Sequence, residues 1–191
     1  NRGRNNWLLT GLTSSTNFPT TVGAFDRFLG GGSDGFIAKL SADGSQLAWA
    51  TYLGGSYYDE LYAAVSDSLG RPVILGYIES TDFPTTPGAY DRVKSGLEDG
   101  FVARLSADGS TLEWSTFLGG MFFDELAALS LTASDEPVVV GSTESPDYPI
   151  LGSAAVPMSG FPGSDAVVTV LASDGSALLM STCLHGPTSG R

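Results

Sequence analysis

Apolar residues along this chain come in short runs, each cut off by Gly, Pro, Asp or Ser, and no stretch sustains the 3.6-residue period of an amphipathic helix. In the stretch that opens near Tyr57, four strands are predicted. Residues 60–67 (ELYAAVSD) end in the turn Ser68-Leu69-Gly70, and residues 72–79 (PVILGYIE) carry Gly76 at their centre. A long Pro-containing loop, residues 80–99, leads to a third strand at 100–106. The turn Ala107-Asp108-Gly109-Ser110 follows, a strong hairpin signal because Asp-Gly supports positive φ. Residues 111–118 form the fourth strand, which places Leu112, Trp114, Thr116 and Leu118 on one face and Glu113, Ser115 and Phe117 on the other. The one helix-like window, residues 59–65, suits a strand equally well.

This unit is written almost three times. SDGFIAKLSADGSQLAWATYLGG starts at Ser33, EDGFVARLSADGSTLEWSTFLGG at Glu98, and a worn SDAVVTVLASDGSALLMSTCLHG at Ser164. A second refrain keeps step: STNFPTTVGAFDRF from Ser15, STDFPTTPGAYDRV from Ser80, SPDYPILGSAAV from Ser145. Leu40, Leu105 and Leu171 mark a pitch of 65 and then 66 residues. Repetition at this scale means a stack or ring of equivalent units. Four antiparallel strands joined by short turns, repeated with a loop between, describe a β-propeller blade. A solenoid uses shorter repeats, a sandwich does not repeat its strands so literally, and an α/β repeat needs a helix.

The expected fold is therefore all-β, with propeller blades of four antiparallel strands and an incomplete ring. Counting each blade from its inner strand, the Asp-Glu-Leu segment, residues 1–54 make a partial blade one holding strands two to four. Residues 55–119 make blade two, 120–186 blade three, and 187–191 a tail. Closed propellers need about four to eight blades, so three do not close. The expected partners are further blades in the same, longer chain or another copy of this one, with the longer chain preferred. Trp49, Trp114 and Met180 share one position in the fourth strand and are expected to fill the space between blades. Gly11, Gly76 and Gly141 recur in the second strand, where a glycine implies close approach, expected from the neighbouring blade.

Charge narrows the choice of partner. With 21 acidic and 9 basic residues the formal net charge is −12. That opposes nucleic acid, whose binding requires Lys and Arg to displace counterions, and it opposes anionic membranes. No stretch is apolar for long enough to span a bilayer. One cysteine, Cys183, excludes an internal disulfide.

The refrain DGFVARLSADGSTLEWSTFLGG, then DEL and an apolar strand, then PVVVGSTES and the DFPTTPGAYD loop, resembles the SBBP (seven-bladed β-propeller) repeat of exported bacterial proteins. The likeness runs from about Trp7 to Gly186. It implies a propeller blade, a secreted or cell-surface setting, and a scaffold or interaction role without catalytic residues. The third copy departs from the pattern, with Ala166 for Gly100, Pro-Ile-Leu-Gly for the Pro-Thr-Thr-Pro loop, and Cys183 where Tyr52 and Phe117 stand.

Several residues offer chemistry beyond the fold. Asp34, Asp99 and Asp165 open the third strand, and Asp43, Asp108 and Asp174 sit in the Asp-Gly turns. Beside glycine turns such aspartates fix the turn by accepting backbone N–H bonds, the preferred reading; carboxylates in Gly-rich loops also suit Ca²⁺. The pairs Asp59-Glu60 and Asp124-Glu125 begin the inner strands, next to the aromatics Tyr57, Tyr58, Phe122 and Phe123. These eight residues are the candidate binding rim for a glycan or a surface protein, although inter-blade packing is the preferred reading for the aromatics and a structural role for the acidic pairs. Asp59 and Asp124, facing one channel, are also candidates for a glycosidase or lyase pair. Because each recurs with the repeat, a scaffold suits them better. Cys183 and His185 share a strand face, yet a buried cysteine and an end-of-blade histidine fit the pattern. The expected function is a non-catalytic structural or interaction scaffold with no required cofactor. A carbohydrate- or polymer-binding module, Ca²⁺-assisted or not, is the first alternative, ahead of an enzyme or a self-assembling fibre subunit.

Overall fold

The structure is a computed structural model that describes residues 6–96, 98–152 and 163–184. Strands β1 (Trp7–Thr13), β2 (Asp34–Leu40) and β3 (Leu47–Leu53) form one antiparallel sheet. Strands β4 (Asp59–Ser66), β5 (Pro72–Ile78), β6 (Asp99–Leu105) and β7 (Leu112–Leu118) form the second. The third holds β8 (Asp124–Leu131), β9 (Pro137–Thr143), β10 (Asp165–Leu171) and β11 (Leu178–Leu184). Each sheet is a meander whose strands pair in chain order, and no helix occurs among the described residues. The sheets are propeller blades in series, and they do not close into a ring. Strand limits fall within about a residue of those the hydrophobic pattern predicts.

The core lies between blades. In β5, Ile74 and Ile78 pack toward blade one with Ile37, Trp49, Leu53 and Phe101, while Val73 and Leu75 pack toward blade three with Leu126, Val139 and Val167. A strand buried on both faces reads as a continuous apolar run rather than an alternating one, which is why PVILGYI shows little period. Each fully buried Leu, Ile or Phe in these layers contributes about 1.5–3 kcal/mol.

The fourth-strand tryptophans lock the seams. Trp49 Nε1 donates to the Ala107 carbonyl at 3.0 Å, in the Asp-Gly turn of the next blade. Trp114 Nε1 does the same to Ser173 at 3.1 Å. The turn glycines lie flat on the indoles: a Cβ on Gly109 would stand 2.5 Å from the Trp49 ring, and one on Gly175 would stand 2.4 Å from Trp114. Basic side chains reinforce both seams. Lys39 Nζ donates to Ala107 O at 3.3 Å, and Arg104 Nη1 donates to Ser173 O at 2.6 Å while lying over the Trp114 ring. Met180, third in this series, is 39% exposed against 6% and 4% for the two tryptophans.

The long loops belong to the unit. Residues 14–33 run along the outer edge of β3, where Thr21 N donates to Ala50 O and Tyr52 N to Asp26 O, so that edge is covered. Phe25 N then reaches Gly109 O in the next blade, as Tyr90 N reaches Gly175 O. The central glycines require a correction. The group that crowds Gly76 and Gly141 is the carbonyl of Glu60 or Glu125, 2.1 Å from a would-be Cβ. It belongs to the inner strand of the same sheet, brought in by bulges at Leu61/Ala63 and Leu126/Ala128, and not to the neighbouring blade.

Candidate functional site

Each inner strand is entered through a clasp made by its own blade. Ahead of β4, Gly55 N donates to Asp59 Oδ2 at 2.6 Å, Ser56 N to Asp82 Oδ1 at 2.8 Å, and Tyr57 N to Ser80 Oγ at 2.8 Å. Ahead of β8, Gly120 N donates to Asp124 at 2.6 Å, Met121 N to Asp147 at 2.9 Å, and Phe122 N to Ser145 Oγ at 2.8 Å. The Ser-Thr-Asp-Phe-Pro and Ser-Pro-Asp-Tyr-Pro refrains thus supply the Ser and Asp that take two of the three successive backbone donors, and the inner-strand aspartate takes the other.

Asp59 and Asp124 sit at the centre of these clasps and are fully buried. Asp59 also accepts from Ser80 N and from Ser80 Oγ, the latter at 2.6 Å. Asp124 accepts from Thr143 Oγ1 and from Ser145 Oγ. Both carboxyls are pushed above the ordinary value by burial, against the lowering effect of those bonds. Asp34 and Asp99, across the seam, raise them further. Asp34 itself accepts from Gly30 N and Gly31 N, and Asp99 from Ser95 N and Gly96 N. Asp43, Asp108 and Asp174 hold the Asp-Gly turns through the hydroxyls and N–H groups of neighbouring serines. Among the described residues, no group of three or more His, Cys, Asp or Glu is disposed to hold a metal ion.

Between the inner strands of blades two and three lies an open recess of about 530 Å³. Of the eight rim candidates it gathers Tyr58, Glu60, Phe123, Asp124 and Glu125, and it adds Tyr62, Tyr77, Glu79 and Glu98. Asp59 is turned into its clasp, and Tyr57 and Phe122 lie outside the lining; Tyr57 is 61% exposed. Cys183 is buried, as its place in the strand predicts, and His185 lies outside the described residues.

Two of the added residues were within reach of the sequence. Tyr62 shares a face with Glu60 by the two-residue period, and Tyr77 pairs directly with Glu60 in the β4–β5 register. Glu98 was not, because its place is set by contact with the next blade. It forms a parallel bridge with Phe123, in which Asp124 N donates to Glu98 O at 3.3 Å.

The recess has one chemical character. Five of its nine lining residues carry carboxyl groups, the other four are aromatic, and none is basic. Tyr58 OH donates to Glu60 at 2.9 Å and Tyr77 OH to Glu79 at 3.1 Å. Burial and the Glu60 bond push the Tyr58 hydroxyl up to about 12. Burial raises Tyr77 as well, with Glu98 and Glu79 adding to it, so the phenols stay neutral. The Tyr62 and Tyr77 rings stand nearly parallel, 6.5 Å apart, and Tyr58 meets Tyr77 edge-on at 6.0 Å. The cavity therefore offers π faces and acceptors, with two of its three phenolic protons already committed to glutamates.

Fold and site together define the class: serially stacked β-propeller blades with an acidic, tyrosine-lined recess at one seam. No protein-family model matches the chain, and no curated protein matches it in sequence.

Proposed function

We propose that this chain is a non-catalytic interaction scaffold from an exported bacterial surface protein, and that the recess docks a positively charged, donor-rich group of a partner. The observation that carries this reading is the lining itself, carboxylates and aromatic rings without one basic side chain. Lysine and arginine present only donors, which is what an acceptor-rich cavity can satisfy, and both are drawn to tyrosine faces. The SBBP-like refrain supports the exported setting. The non-catalytic reading is supported by Asp59 and Asp124, whose oxygens are engaged by backbone and hydroxyl donors that hold the fold.

Titration of the protein with a tri-lysine peptide, followed by calorimetry at low and high salt, tests the proposal. The expected outcome is saturable binding that weakens with salt and falls about tenfold in Glu60→Gln/Glu125→Gln, whose side chains line the recess. Tyr62 and Phe123, each 40% exposed, favour a second reading in which a sugar ring stacks there. Binding of a neutral oligosaccharide, with no response to tri-lysine, would establish that reading instead.

A further inference from the structure

β1 occupies in blade one the place that β5 and β9 occupy in the other two blades. β5 pairs with the inner strand β4 and β9 with β8, with Leu61 opposite Gly76 and Leu126 opposite Gly141. Among the described residues β1 pairs only with β2, and no strand pairs with its other edge.

Four residues along that edge keep the chemistry of an occupied one. Gly11 is the counterpart of Gly76 and Gly141, where an inner-strand carbonyl stands 2.1 Å from a would-be Cβ; at Gly11 a Cβ would meet only the Phe36 ring. Leu9 is 41% exposed, while its counterparts Ile74 and Val139 are 0% and 1% exposed. Ser15 is exposed, whereas Ser80 and Ser145 are fully buried and donate to the inner-strand aspartates. Asn17 stands exposed where Asp82 and Asp147 hold the backbone that enters each inner strand. A glycine in a strand centre costs stability unless something approaches it closely, and in blade one no backbone among the described residues does.

We infer that the unpaired, inner-strand edge of β1 is a strand-acceptor site. Its occupant is an unpaired polypeptide segment with the repeat's own inner-strand pattern, an Asp-Glu-Leu followed by small and apolar residues. The two filled seams set its register. Its aspartate lies opposite Thr13, as Asp124 lies opposite Thr143, and receives the Ser15 hydroxyl. Its leucine lies opposite Gly11, with a bulge just after it, and covers Leu9. An intact second copy does not serve, because β4 and β8 are already paired within their own blades. An open strand edge is a template for such addition, with main-chain bonds providing affinity and side-chain seats providing selectivity. The site does not depend on what the recess binds.

The test is to add a synthetic peptide with the sequence of residues 56–67 (SYYDELYAAVSD) to the full chain and follow amide hydrogen exchange. The expected result is that exchange along β1 slows about tenfold or more at saturating peptide. Peptides carrying Leu61→Asp or Asp59→Ala bind about tenfold more weakly or not at all. Gly11→Val in the protein has the same effect, with exchange in β4–β7 unchanged as the check that it folds. Should that variant fail to fold, the two peptide substitutions decide alone. Glu60→Gln/Glu125→Gln in the protein leaves peptide binding intact, which separates this site from the recess. Unchanged exchange along β1, or equal binding of the Leu61→Asp peptide, overturns the inference.

Discussion

Aspartate does two opposite things in this protein, according to where the repeat places it. At the seams, Asp34, Asp59, Asp99 and Asp124 are buried, and burial raises each of them above the ordinary 3.8. In the open turns, serine donors hold Asp43 and Asp108 down at about 2. The signs of their contributions to stability differ. A carboxyl raised by folding takes up protons more readily in the folded state, so stability falls as pH rises through its folded value. A lowered carboxyl contributes stability above 3.8 that is lost as pH falls toward its folded value. The thermal midpoint is therefore expected to climb as pH is lowered through the folded values of the seam carboxyls toward about 4 and to drop below that, which a calorimetric pH series measures directly. Asp124→Asn turns an amide N–H₂ toward groups that are all donors, and it is expected to cost about 2 kcal/mol in urea unfolding at pH 7. It should also flatten part of the rise above pH 4.

The three Asp-Gly turns are local duplicates with different surroundings, which makes them a matched set. Gly44, Gly109 and Gly175 all adopt positive φ, at 72°, 71° and 70°. The φ penalty for alanine, about 1–2 kcal/mol, is common to all three. At Gly109 and Gly175 the new methyl would also strike the Trp49 or Trp114 ring; at Gly44 it meets nothing within 4 Å. Gly109→Ala and Gly175→Ala are thus expected to destabilise by about 2 kcal/mol more than Gly44→Ala. Chemical denaturation of the three variants isolates the seam contact from the turn. The β-turn at residues 67–71 shows the same economy: where blade two has Gly70, blade three has Asp135 at φ 60°. Asp135 tolerates that region and places its carboxylate at the seam, where it accepts from Ser68 N at 2.9 Å and from Ser68 Oγ.

Across the whole molecule, blades communicate through seams alone, so stability is a sum of blades and nearest-neighbour contacts. Trp114 holds blade three to blade two through its indole contact with Gly175 and its bond to Ser173. Trp114→Ala is expected to remove about 3–5 kcal/mol and to split a single unfolding transition into two, with blade three unfolding first. Near-UV circular dichroism set against hydrogen exchange in β8–β11 would reveal the split. The net charge of −12 acts at the same scale. Salt is expected to raise the thermal midpoint at pH 8 through screening of self-repulsion, and to matter much less at pH 4, where protonation has already relieved it.

The blade was legible in the sequence because its determinants are local. Asp-Gly turns bend the chain wherever they occur, and short apolar runs bounded by Gly and Ser become strands of matching length. Repetition of Trp49 at Trp114 marks an inter-blade residue in the sequence itself. The recess was legible by half. Tyr58, Glu60, Phe123, Asp124 and Glu125 follow from their place at inner-strand ends, but which acid is free and which is spent depends on what packs over it. Asp59 and Glu60 are adjacent in sequence, yet the period-two alternation of the strand buries the first in its clasp and turns the second to the recess. Glu98 joins the recess through a bridge between blades, and Gly76 is crowded by a bulge in its own sheet rather than by its neighbour. Seam geometry of this kind arises from contacts between segments some tens of residues apart, and no local pattern encodes it. The sequence by itself determined the unit, its strands, its turns and the tryptophans between blades; only the tertiary structure decided which of the repeated acids are spent in clasps and which remain exposed, because that depends on what packs over them.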